Sequence, residues 1–208
     1  MADDPLLALL PRAKRRWART DPLLHAIARD APPPGRSLVF DDPFHALVGS
    51  IAHQQVSIQA GRSIFQRVDA ACGGRATPEG VLAAGPEALR AAGLSRPKVA
   101  YVTDLAQKAR SGEVDLARLA EMDDAEVVAQ LTRVKGIGVW TAKMFLLFHL
   151  SRPDVHVPED LGLQVAVAQA YKVPRARAAA KMAKLAPLWS PYNSLAALTL
   201  WNWRRMDW

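Results

Sequence analysis

Two short stretches of this 208-residue chain place residues at spacings that chemistry can use. The first is Leu131-Thr132-Arg133-Val134-Lys135-Gly136-Ile137-Gly138-Val139-Trp140-Thr141-Ala142, where one predicted helix runs into a Gly-x-Gly turn and a second begins at once. Two glycines permit backbone angles that other residues resist, and they strip side chains from the outside of the turn. Backbone N–H groups there, and at the start of the next helix, can then meet an anionic phosphate oxygen. Such contacts grip a nucleic-acid backbone without reading its sequence. Lys135 stands beside the turn as a cationic partner, and Ile137 can plug the two helices together from inside. An ordinary tight interhelical turn would use the same two glycines.

The second stretch is Arg152-Pro153-Asp154-Val155-His156-Val157-Pro158-Glu159-Asp160-Leu161-Gly162, with two acids at the head of an apolar-periodic segment. Acids in a first helical turn complement the dipole, and Pro158 suits a helix start. Local physics alone explains Glu159 and Asp160 in this way. The five histidines show no metal-ligand spacing, and the single cysteine, Cys72, excludes an internal disulfide, a thiolate zinc site and an iron–sulfur cluster.

The elements that must carry these residues read as helices. Alternating strand patterns and the Asn-Gly or Asp-Gly hairpin signal are missing, so the chain is expected to be all-α. Helices are predicted over 5–18, 22–29, 43–51, 57–72, 78–84, 86–92, 97–111, 116–121, 124–132, 139–150, 159–171, 175–186 and 191–204. Asp42 before Pro43 and the Asp123/Glu126 capping-box spacing mark two of the starts. The prolines of Ala31-Pro32-Pro33-Pro34-Gly35 make 30–41 a stiff extended connection. With half its residues apolar, the chain over 1–208 is long enough for one good-sized domain, or two small lobes around a shared core. Lys and Arg outnumber Asp and Glu by 27 to 20, which makes a polyanionic partner plausible. The reduced lone cysteine and the lack of a membrane-length apolar run or signal-peptide layout point to a soluble cytoplasmic protein.

The order of hairpin, helix and Pro-x-Asp-Leu-Gly resembles the helix-hairpin-helix DNA glycosylase superfamily, named for its hairpin, its Gly/Pro-rich loop and its catalytic aspartate. Asp42-Pro43-Phe44-x-x-Leu47, then Ile51-Ala52-His53-Gln54-Gln55-Val56-Ser57, is similar to the family's early helix and Gln-Gln-x-Ser loop. Gly93-Leu94-Ser95-x-x-Lys98 is similar to its central loop, and Trp189 to Trp201 to its last helix. Together the matches resemble the AlkA-type 3-methyladenine branch, in a short form without the N-terminal β-domain.

The resemblance implies two helical lobes flanking a DNA-binding cleft, with the hairpin motif at about 124–150. It implies base excision repair of double-stranded DNA, in which an alkylated purine is flipped out and its N-glycosidic bond is hydrolysed. Asp160 would be the catalytic carboxylate, stabilising an oxocarbenium-like sugar and orienting or deprotonating water. Glu159 matches a variable neighbour and would be solvated. Trp140, Trp201, Met144 and Phe44 would line the base pocket. Gln55, with Gln54, would be the wedge that fills the gap. Gly136, Gly138, Lys135, Thr141, Ser57 and Lys98 would bind DNA phosphates.

No cofactor is implied, although hairpin carbonyls such as those of Val134 and Gly136 can hold Na+ or K+ in this family. Bifunctional relatives carry a nucleophilic lysine just after the hairpin, where this chain has Trp140. The expectation is therefore a monofunctional, monomeric glycosylase that leaves an intact abasic strand. A glycosylase of the same fold for deaminated or oxidised bases, or a hairpin protein that binds DNA without excising bases, are the alternatives.

Overall fold

The computed structural model describes residues 4–35 and 42–204, so 36–41 of the expected extended connection lie outside the described residues. Among the described residues the chain is all-α, with no strand. A 3₁₀ turn at Leu7–Leu9 leads into α1 (Leu10–Thr20), α2 (Pro22–Asp30), α3 (Pro43–His53), α4 (Ile58–Ala71), α5 (Pro78–Ala91) and α6 (Arg96–Ser111). After a second 3₁₀ turn at Leu116–Arg118 come α7 (Asp124–Leu131), α8 (Val139–Phe148) and α9 (Leu161–Ala170). A third at Arg175–Arg177 precedes α10 (Ala178–Trp189) and α11 (Asn193–Trp203).

Side-chain caps set most of the starts. Asp42 accepts the His45 N–H at 2.7 Å ahead of Pro43, whose missing donor costs nothing in a first turn. Asp123 and Glu126 form both bonds of the expected capping box, at 2.8 and 2.9 Å. Gly85, with φ +73°, breaks α5 internally just before Pro86, where the sequence predicts separate helices over 78–84 and 86–92.

Helix α9 departs from expectation. It begins at Leu161 rather than 159, because the Asp160 side chain turns back to accept the Leu163 N–H at 2.6 Å. Pro158 and Glu159 form the turn before it.

The chain divides into two compact units, Met1–Leu38 with Leu146–Trp208 and Val39–Phe145. The second has a core of Leu47, Ile51, Leu89, Leu94, Leu105, Leu119 and Leu131, all fully enclosed. Each such leucine or isoleucine contributes roughly 1.5–3 kcal/mol of burial free energy. The first is built round Trp17, Leu24, Leu195, Trp189 and Trp201. There Asp21 caps α2 through Leu24 and accepts both the Tyr171 hydroxyl at 2.5 Å and the Trp189 indole N–H at 2.8 Å. Burial and that anionic partner push the Tyr171 phenol far up.

Candidate functional site

In the unit Val39–Phe145 the glycine turn and the Gln-Gln loop are joined. Gly136 has φ +78°, and a Cβ there would sit 2.1 Å from the Tyr101 ring, so two independent constraints demand glycine. Gly138 has neither constraint: a Cβ there would meet nothing within 4 Å. Its bareness keeps the outer face of the turn open to a close-approaching backbone. Ile137 is buried beneath, as a plug should be.

The turn is also anchored from α6. Asp104 accepts the Lys135 N–H at 2.9 Å and lies 3.2 Å from the Lys108 ammonium, which itself donates to the Arg133 carbonyl at 2.5 Å. Burial opposes charge on Asp104, but the Lys135 N–H and the Lys108 ammonium outweigh it and hold the carboxyl below the usual carboxylate range. The Lys135 side chain itself is exposed, with Nζ 3.7 Å from Asp104, and can reach outward.

Gln54 donates from Nε2 to the Gly136 carbonyl at 2.9 Å, which ties the Gln-Gln loop to the turn. The next residue, Gln55, has φ +56°, a strained value for a side-chain-bearing residue. Val56 and Ile58 follow it, and with Val139 and Trp140 they are this unit's exposed large apolar side chains among the described residues. All four flank the loop or the first turn of α8.

Several expected phosphate contacts lie elsewhere. Lys98 is only 9% exposed, and its ammonium donates to the Ala52 carbonyl at 2.8 Å, so it closes the end of α3 just before the Gln-Gln loop instead of meeting DNA. Burial alone lowers its pKa. Thr141 is buried. Ser57 is exposed, but its hydroxyl is the N-cap of α4, accepting the Ala60 N–H at 3.3 Å.

The two hairpin carbonyls that could hold a cation both accept hydrogen bonds already, Val134 from the Ile137 N–H at 3.1 Å and Gly136 from Gln54. Among the described residues no group of His, Cys, Asp and Glu could hold a metal ion.

In the other unit, Asp160 is 3% exposed. Its Oδ1 accepts the Leu163 amide at 2.6 Å and the Trp201 indole N–H at 3.1 Å. The loop leading to it is fastened to α10 and α11. Asp154 accepts from the Ser190 hydroxyl at 2.6 Å and from the Asn193 N–H and Nδ2 at 3.1 and 2.6 Å. Ser194 accepts the Val155 N–H and donates to the Arg152 carbonyl, at 3.0 and 2.6 Å. Gln164 donates to the Pro158 carbonyl at 2.7 Å. A carboxylate so held has little freedom to reorient, which is what stabilising charge in a reacting partner requires.

Trp201 differs from its expected part as an open stacking surface. It is fully enclosed, with its ring stacked on Phe148 at 6.1 Å between centroids and its N–H spent on Asp160. Met144 and Phe44 are likewise buried, while Trp140 keeps 39% of its surface exposed. Glu159 is half-buried rather than solvated.

Residues 48–191 match the HhH-GPD superfamily base excision DNA repair protein family. The chain belongs to this superfamily. It is 30% identical over 172 residues to DNA-3-methyladenine glycosylase 1 of Schizosaccharomyces pombe, covering 81% of this chain and 75% of that protein. Among solved structures it is similar to a Bacillus halodurans DNA-3-methyladenine glycosidase, at 33% identity and a TM-score of 0.78, over 96% of this chain and 88% of that one. It is also similar to the S. pombe 3-methyladenine DNA glycosylase in complex with abasic DNA, at 26% identity and a TM-score of 0.79, over 91% of this chain and 95% of that one.

Two positioning groups of this HhH-GPD chain were not found from the sequence. Asp104 lies 31 residues from the turn it holds, and Asp154 lies 39 residues from Asn193. Only a long-range fold brings such partners together. Leu161, at the first position of α9 beside Asp160, is 64% exposed, although in a sequence it reads as one more core position.

Proposed function

We propose that the protein is a monofunctional DNA glycosylase that releases alkylated purines, such as 3-methyladenine, from double-stranded DNA. The observation that carries this reading is the buried, doubly hydrogen-bonded Asp160 at the end of its fastened loop. The named relatives support the choice of alkylated bases.

On this reading the hairpin amides around Gly136 and Gly138 hold a phosphate, and Lys135 adds its charge. Gln55 fills the space left by the flipped nucleotide, at a cost of a few kcal/mol for unstacking. Trp140 offers an indole face to a base that already carries positive charge. The C1′–N bond then breaks with its electron pair leaving on the base, so little acid catalysis is needed. Positive charge grows on the sugar, where the Asp160 carboxylate stabilises it. Water adds its oxygen to C1′, and its proton passes to Asp160 or to solvent.

The position after the hairpin that a nucleophilic lysine would use is Trp140, and Lys143 stands three residues further along α8. No Schiff base is therefore formed, and the abasic strand stays whole. The protein acts as a monomer in the cytoplasm.

The test is release of methylated bases from alkylated duplex by the wild type and by Asp160→Asn. Asparagine keeps the cap on α9 but not the charge. Release by the wild type and its near-complete loss in the variant support the reading. Equal release by both would end it.

A further inference from the structure

The charge of this protein is divided unequally. In Met1–Leu38 with Leu146–Trp208, Lys and Arg number 15 against 8 Asp and Glu, whereas Val39–Phe145 has 12 of each. The entire excess of +7 therefore belongs to the unit that carries Asp160, and the unit with the glycine hairpin is neutral. Leu161 to Met206 contains no acid at all, and neither does α1.

Helix α1 concentrates this charge. Arg12, Arg15, Arg16 and Arg19 fall within an arc of about 100° at 3.6 residues per turn. They lie on the side away from Ala13 and Trp17, which are buried. Arg12, Arg15 and Arg19 are exposed and Arg16 is half-exposed.

Spacings of three and four make like-charge neighbours of these residues, each pair unfavourable in an isolated helix. Among the described residues no acid answers them: the ion pairs of this unit involve none of the four, and the Arg16 Nε is buried without a hydrogen-bond partner. A helix that keeps four mutually repelling guanidinium groups gains when an external polyanion meets them. Guanidinium pairs with phosphate oxygens in a planar, two-pronged fashion, which a lysine cannot match. The stripe is about 10 Å long at 1.5 Å per residue. It is thus commensurate with about three phosphate intervals of one DNA strand, at about 3.4 Å each along the axis.

We propose that this arginine stripe on α1 is a second contact surface for the phosphate backbone of duplex DNA, additional to the hairpin. It binds undamaged and damaged duplex alike, because it reaches no base. It rests on duplex DNA being the substrate, but not on which base is removed.

The experiment compares the wild type with the triple variant Arg12→Gln, Arg15→Gln, Arg19→Gln, which spares the half-buried Arg16. A matched variant, Arg75→Gln, Arg110→Gln, Arg118→Gln, removes the same charge from exposed positions of the neutral unit. Binding of an undamaged duplex of about 30 base pairs is measured against salt concentration. Circular dichroism and Tm confirm that both variants fold.

The stripe variant is expected to lose about 2 to 3 units of the slope of log affinity against log salt, at about 0.9 per phosphate contact. Its affinity at low salt is expected to fall by at least about tenfold, while the matched variant keeps the wild-type slope. An unchanged slope in the stripe variant overturns the proposal. So does an equal loss in both variants, which would make the effect one of net charge alone. Release of methylated bases by the wild type, measured on the same preparation, reports separately on the glycosylase reading, since the slope is read on DNA that holds no lesion.

Discussion

Single hydrogen bonds decide the behaviour of the residues that matter most. The Trp201 N–H donates to Asp160 Oδ1, as does the Leu163 N–H, and hydrogen bonds to charged groups contribute about 1.5–3 kcal/mol. Trp201→Phe keeps most of the ring's packing on Phe148 but removes that donor. The expected result is a fall of about ten- to a hundredfold in single-turnover release, by the conversion of about 1.4 kcal/mol per tenfold. The pH profile of release should change with it, which loss of packing alone would not cause. Gln55 offers a test of opposite sign. Gln55→Gly relieves the left-handed strain at φ +56° and should raise unfolding stability by up to about 1 kcal/mol. If Gln55 is the proposed wedge, the variant should at the same time lower base release, because the side chain that would fill the gap is gone. A urea titration and a release assay on one preparation check both halves, and a variant that is both less stable and fully active would contradict the assignment.

At the scale of elements, the hairpin depends on α6. Asp104 has its carboxyl held below the usual range, so it contributes stability that is present above the unfolded carboxylate value of about 4 and is lost as pH falls through its lower folded value. Asp104→Asn removes that contribution. Duplex binding by the variant should be weaker at neutral pH, and its stability should depend less on pH below about 4 than that of the wild type. Fluorescence-monitored unfolding across that window measures the difference. The turn itself was legible in the sequence as Gly-Ile-Gly after a capped α7, although the start of α9 was read two residues early. What holds the turn in place was not legible, because Asp104 to Lys135 and Gln54 to Gly136 are contacts 31 and 82 residues apart that no local pattern encodes. Lys98 was misread for a related reason. A lysine after a loop looks solvated in a sequence, and only the packing of α6 on α3 turns its ammonium inward to Ala52.

For the whole molecule, the all-α class and the glycine turn could be read from residue types alone, whereas the close approach of Tyr101 to Gly136 and the enclosure of Trp201, Met144 and Phe44 depend on tertiary packing. The choice of Trp140 over a lysine after the hairpin governs what becomes of the DNA strand. Incubation with lesion-bearing duplex should give strand breaks only after alkali or heat, and borohydride should trap no covalent protein–DNA adduct. A trapped adduct would place an amine in the reaction and make the enzyme a lyase.

Asp160 is at once a carboxylate and the N-cap of α9, and those two duties restrict evolution differently. Capping tolerates Asn, Ser, Thr or Gly, whereas glutamate, a carboxylate on a longer stem, caps poorly. The short acid is thus dictated by helix geometry as much as by chemistry. The neighbouring sequence space is lopsided as a result. On the proposed reading, a drift from Asp160 to Asn would leave the fold intact and abolish hydrolysis, so a descendant that grips damaged DNA without cutting the base away would lie a single substitution distant. A descendant with a relocated acid would have to rebuild the start of a helix.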